Sequence, residues 1–227
     1  TCALPISYKE RFEPDEALAD LTAIANLSPG RALRARVWGP DFEANISRVK
    51  VYHRDKPLEL AEIVPVLERM GLRTLSEVGY PVRVTVGDDP EGVVYVHDLT
   101  IERPASQKRL GGRFEQAFEA IWARETENDR FNALVVALGV DWRSAALLRT
   151  LCRYRSQSGL DPSEPVQVAA LRDYPDIAAN LLKLFGIKFD PGMPGDLDAR
   201  RTAAQPVIAR VEQQLEAVAS LDADRVL

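Results

Sequence analysis

Apolar and polar positions alternate through the first hundred residues, then recur at intervals of three and four for the rest of the chain. Leu33, Ala35 and Val37 alternate with Arg34, Arg36 and Trp38, a period of two that predicts a strand with one covered face. Arg48 to His53 repeats the pattern with Val49 and Val51 inward. Ile6 to Lys9 is expected as a short strand, and Pro14 to Leu27 as a helix with Leu18, Leu21 and Ile24 on its inner face. Leu60, Ile63, Val64, Leu67 and Met70 mark a second helix, tightened or kinked by Pro65 and stopped by Gly71. Leu72 to Gly79 returns as a strand. After the turn sequence Asp88 to Gly92, Val93 to Glu102 is expected to be the longest strand. The resulting order, β-α-β-β-α-β-β, is a split β-α-β arrangement of the ferredoxin-like kind.

Beyond Pro104 the pattern is helical. Phe114, Ala117, Phe118, Ile121 and Trp122 share one face. Phe131, Leu134, Val135 and Leu138 share another, and Trp142, Leu148, Leu151 and Cys152 a third. Asn128 and Asp141 are suited to cap the second and third of these helices, and Gly139 to end the second. Trp122 and Trp142 are expected to be buried with Phe118, Phe131 and Leu148. Further helices are predicted over Ser163 to Asp173 and Asp176 to Phe185. A turn-rich loop, Lys188 to Asp196, precedes a long last helix striped by Val207, Val211, Leu215 and Val218. The fold class is therefore α+β, with an α+β domain over residues 1–104 and an all-helical domain over 105–227, joined near Pro104 to Gly112.

Composition changes this picture little. At 46% hydrophobic and 28% charged residues the chain is ordinary globular material. Cys2 and Cys152 are too far apart in sequence to suggest a disulfide framework or a metal spacing. A net charge of −5 argues against general nucleic-acid affinity, which depends on neutralising phosphates. No signal peptide and no long apolar run is legible, so no membrane is expected and the expected location is cytoplasmic.

Candidate chemistry is sparse. His97 sits mid-strand between Tyr95 and Leu99, where a buried, hydrogen-bonded histidine is favoured over a catalytic base about four to one. His53 reads as a surface turn. Two isolated histidines make no metal site. Asp88, Asp89 and Glu91 read as a solvated hairpin turn rather than a cation site. Gly111-Gly112 opens a helix without any phosphate-binding pattern and reads as a joint. Phe131 to Gln157 has the outline of a helix-turn-helix, with Arg143, Arg149, Arg153 and Arg155 on its second helix. That outline gives the alternative function, a stand-alone ligand-sensing regulator with a DNA-binding half. Two core helices with solvated arginines are favoured over it about five to one, and no nucleic-acid partner is expected.

The stretch Arg113 to Gly159 combines AIWxxExENDxFNxLV with GVDWRxxxLLRxLCRYRxQ and resembles the large NAD-specific glutamate dehydrogenases of bacteria. Ser7 to Phe12, Lys56 to Val82, Val94 to Glu102 and Ala219 to Leu227 are similar to further landmarks of that family, in order. The resemblance implies regulatory domains of the ACT type, then a helical region, then a dehydrogenase core. It also implies that this chain, beginning at Thr1 and ending after a fresh helix start at Ser220 or Asp222, is an internal segment upstream of the core. The parent would convert L-glutamate, NAD and water to 2-oxoglutarate, ammonium and NADH. The segment itself would hold no catalytic, cofactor-binding or metal-binding residue. Its expected partners are the remaining domains of the same polypeptide, a second copy of a homo-oligomeric parent, and an amino-acid effector. The effector loop, by analogy with ACT domains, would be Glu10 to Asp15, which lacks the glycine usual there. Arg34, Arg36 and Trp38 form the candidate contact surface, since a tryptophan beside two arginines is typical of interfaces. Cover of Trp38 by the neighbouring helical domain is weighed equally.

Overall fold

The computed structural model describes residues 2–43, 45–84, 92–105, 109–157, 159 and 162–227. The expected turn at Asp88 to Glu91 therefore lies outside the described residues. The chain forms two compact units, Thr1–Asp129 and Arg130–Leu227.

The first unit runs β1 (Cys2–Ala3), α1 (Ile6–Arg11), α2 (Pro14–Ala25), β2 (Leu33–Glu43), β3 (Ile46–Arg54), α3 (Leu60–Arg69), β4 (Arg73–Val84), β5 (Gly92–Glu102) and α4 (Gly112–Trp122). One five-stranded sheet has the order β1-β4-β5-β3-β2, antiparallel at every pairing. Two hairpins, β2–β3 and β4–β5, are joined by α3, and α4 returns to the edge strand β2. The expected element order holds, with one correction at its start. Ile6–Arg11 is a helix, and the first strand is Cys2–Ala3. Tyr8 and Phe12, four residues apart, pack tilted against each other with ring centres 4.5 Å apart and edge-on to Tyr80, whereas a strand's rise would hold two residues at that spacing about 13 Å apart.

Both faces of the sheet are covered along β3, where the alternation predicted one. In β3, every residue from Ser47 to His53 is buried. Val49 and Val51 point to one face, and Arg48, Lys50 and Tyr52 to the other, beneath α2. The inner face of α2 is correspondingly not Leu18, which is 65% exposed, but Glu16, Asp20 and Ile24. The longest strand is β4, with 12 residues against 11 in β5, since it continues past Gly79 and Pro81 to Val84. Only Arg83 and Val84 pair with β1, so Pro81 lies on an open edge, where a missing N–H costs no ladder bond.

The boundary between the two compact units falls after Asp129. Helix α4, read as the first of the helical half, packs on β2 and belongs with the sheet.

The second unit begins with a 3-10 turn at Arg130–Asn132, then α5 (Ala133–Leu138), α6 (Trp142–Ser156), α7 (Glu164–Asp173), α8 (Pro175–Phe189), α9 (Leu197–Leu215) and α10 (Leu221–Val226). Gly139 ends α5 in the left-handed region at φ 67°. Asp141 caps α6 by accepting the Ser144 N–H at 2.8 Å. Asn128 does not cap α5, because the 3-10 turn intervenes and the cap position falls to Asn132. Phe131 and Leu148 are buried, yet Trp122 in the first unit and Trp142 in the second are each only half-buried. Rings of that size are rarely covered completely, even where most of their surface is. Along α9, Val207 is buried beside Ile187 and Ala204, while Val211 and Leu215 are half-exposed.

Candidate functional site

The strand β2 carries Arg34, Arg36 and Trp38, all half-buried. The fold holds two of them together. The Arg36 guanidinium lies 5.3 Å from the Trp38 ring centre and donates to the Ala19 carbonyl of α2 at 3.3 Å. Arg34 turns away to the carboxylate of Glu119 on α4, with its Nε 3.1 Å from Oε1. The two arginines therefore do not form one row with the tryptophan. Trp38 remains partly open, flanked by Arg36 and by Lys50, whose ammonium is 5.6 Å from the ring centre.

Between α2 and the sheet lies a cluster that the alternation does not reveal. Lys50 is wholly buried, with its ammonium on Asp20 and 2.6 Å from Glu16 Oε1. Arg48 donates to Glu16 at 2.8 Å and to Asp98 at 3.1 Å. The hydroxyls of Tyr8 and Tyr52 both donate to Asp20, the latter at 2.6 Å. The Phe12 ring lies 3.7 Å from the Lys50 ammonium and roofs it. Burial is the main cause of the upward displacement of both tyrosine pKa values, reinforced by Asp20. Burial also raises the Asp98 carboxyl, outweighing the opposing pull of Arg48. The only sequence signal is the coincidence of Glu16 and Asp20, four apart on a helix, with Arg48 and Lys50, two apart on a strand. Chemically the cluster is self-satisfied. Its donors and acceptors serve one another, so it locks α2 to the sheet.

The histidines are also structural. His97 Nε2 accepts the Leu58 N–H at 3.1 Å, which leaves the proton on Nδ1, 2.7 Å from Glu77 Oε1. His97 is 4% exposed, the buried and bonded residue expected. His53 is not on the surface. It is buried, with Nδ1 2.9 Å from the Lys56 carbonyl and its ring beside Trp122.

The remaining candidates resolve on geometry. Glu10 to Asp15 joins α1 to α2, two helices, so it is not a strand–helix loop. A cleft of about 270 Å³ does open there, over Tyr8, Phe12 and Ala17. On α6, Arg149 is buried and donates to Asn132 Oδ1 at 2.9 Å, a core contact rather than a solvated arginine or a base-reading one. Arg143 stacks on Trp142 at 4.1 Å. Among the described residues no group of three His, Cys, Asp or Glu is placed to hold a metal, and no helix is long and apolar enough to cross a membrane. The sheet lacks the crevice of a doubly wound dinucleotide fold. Doubly wound folds hold a dinucleotide in the crevice at the ends of parallel strands, and every pairing here is antiparallel.

Comparison with known proteins places the segments in a consistent order. Residues 2–27 match a family model described as glutamate dehydrogenase, helical motif 2. Residues 33–111 match glutamate dehydrogenase, ACT3 domain, and residues 126–191 match glutamate dehydrogenase, helical motif 3. The chain is 32% identical over 231 residues to the NAD-specific glutamate dehydrogenase of Halomonas elongata, covering 99% of the chain and 14% of that protein. It is 31% identical over 228 residues to that of Pseudomonas aeruginosa, covering 98% of the chain. The Mycobacterium tuberculosis protein of the same description is 29% identical over 231 residues. The chain spans about 14% of the length of each of these relatives.

Proposed function

The chain is a segment of the large NAD-specific glutamate dehydrogenase family, and we propose that it serves its parent as a non-catalytic regulatory and connecting piece upstream of the catalytic core. The parent reaction on this reading is oxidative deamination of L-glutamate to 2-oxoglutarate and ammonium, with NAD reduced, in the cytoplasm. The observation that carries the reading is the first unit itself. The interior strand β3 of its ACT-like sheet is buried on both faces, and the unit's buried charged and titratable residues are spent on that packing. A group held in such a lock is not available to move a hydride or to bind a substrate carboxylate.

The residues 1–104 would form the regulatory part and 105–227 the connector, with α4 shared structurally by the sheet. The partners are the remaining domains of the same polypeptide and further copies of a homo-oligomeric parent, with an amino acid as the effector. Trp38, with Arg36 over its ring and Arg34 further along the same strand, is the contact surface of this reading.

Steady-state assay of the purified chain with glutamate and NAD tests it. No NADH should form above a blank, while the full-length parent turns over under the same conditions. Turnover by the chain alone overturns the proposal.

A further inference from the structure

The strand β2 is an edge of the sheet, yet three of its backbone groups on the open side are occupied. The Ala35 N–H donates to Glu119 Oε1 at 3.0 Å, and the Val37 N–H to Glu115 Oε1 at 2.7 Å. The Gly39 carbonyl accepts from the Arg109 guanidinium. Side chains between residues 109 and 119 thus stand where the backbone of a neighbouring strand would stand.

The match follows from two periodicities. Glu115 and Glu119 are four apart on α4, a rise of about 6 Å along the helix. Ala35 and Val37 are two apart on β2, a rise of about 6.7 Å. Two carboxylates on one helix face therefore reach two successive outward amides, with α4 antiparallel to β2. Glu119 is fixed in turn by Arg31 at 2.6 Å and Arg34 at 3.1 Å. An exposed edge strand is otherwise a template for pairing with another chain.

We propose that α4 is a built-in substitute for a partner strand, and that Glu115 and Glu119 keep β2 from pairing with the β2 edge of a second copy. The backbone edge of the ACT-like sheet is thereby closed on this side, and whatever assembly the parent makes does not pair strands along the β2 edge.

Amide exchange and mass measurement on this chain test the proposal. In the unaltered protein the Ala35 and Val37 amides should exchange roughly tenfold or more slowly than unprotected amides, though no strand lies beside them. Exchange at the unprotected rate overturns the proposal without any variant. Glu115→Ala with Glu119→Ala should expose both amides and give a dimer that grows with protein concentration. Glu115→Gln with Glu119→Gln keeps a carbonyl acceptor at each position and should stay protected and monomeric. An alanine variant that remains folded by circular dichroism and stays monomeric at every concentration overturns the proposal. If the double variant unfolds, Glu115→Ala alone carries the same test, since Glu119 and its two arginines still hold α4 in place.

Discussion

Lys50 and Asp20 form an ion pair with neither residue accessible to solvent, across the layer between α2 and the sheet. The pair exists because a strand that would otherwise alternate between apolar and exposed positions lies in the middle of the sheet, with a second helix layer above it. A cation there must be matched by carboxylates from that layer, and Glu16 and Asp20 supply them. The arrangement ties α2 to the sheet, since removing a partner from it would leave a buried charge uncompensated.

Removing one partner should therefore cost far more than removing the pair. Asp20→Ala should destabilise the first unit by ~3–5 kcal/mol, the usual loss when a buried charge is left uncompensated. Joint replacement of Lys50 by Met and Asp20 by Leu should cost less than Asp20→Ala alone. Urea titration followed by circular dichroism measures both. A loss below ~1 kcal/mol for Asp20→Ala would mean that the cluster is open to water.

The same cluster sets a limit at high pH. Tyr8 and Tyr52 have pKa values raised in the folded chain, by burial first and then by Asp20. Their folded state therefore holds protons that the unfolded chain releases above pH about 10. Their contribution to stability is present in full below that pH and declines as the pH rises through it. Ultraviolet titration should show Tyr8 and Tyr52 ionising only as the fold is lost, with Tyr52→Phe and Tyr8→Phe removing that late step. A smooth ionisation of all tyrosines in the folded chain would contradict it.

Within the first unit, Phe118 and Trp122 stack with ring planes 10° apart, but only Phe118 is fully buried. Phe118→Ala should cost ~3–5 kcal/mol, as emptying a buried aromatic site does. Trp122→Ala should cost clearly less, because part of that ring is already in water. Denaturant midpoints of the two variants check the order, and a reversed order would refute it.

The contact face makes a different prediction. Trp38→Glu places a carboxylate beside Arg36 and near Lys50, so the chain should stay folded. In the full-length parent the same change should alter the oligomeric state or the response to amino-acid effectors, with the catalytic site untouched. Sedimentation and effector titration measure these. A folded variant with unchanged assembly and unchanged response would remove this face from the regulatory surface.

Several of these positions are legible in the amino-acid sequence alone. The period of two at Leu33 to Trp38, the stop at Gly71, the caps at Gly139 and Asp141 and the buried setting of His97 are local patterns, and each occurs where its pattern places it. Local pattern also misleads in a consistent way. Leu18 reads as inward because it is apolar, and His53 reads as exposed because Arg, Asp and Lys follow it. In both cases the deciding neighbour is remote in sequence. For Leu18 it is the charged row of β3 beneath α2, and for His53 it is Trp122.

The sequence by itself determined most element types and their order, because helix and strand periods and turn residues act over a few positions and survive without context. Tertiary structure alone decided which polar faces are also inside. It turned Glu16, Asp20, Arg48 and Lys50 from apparent surface charges into a buried lock. It also turned Glu115 and Glu119, ordinary helix glutamates by pattern, into acceptors for the amides of an edge strand. Burial and pairing depend on what another segment presents across the gap. No window along the chain contains both sides of that gap.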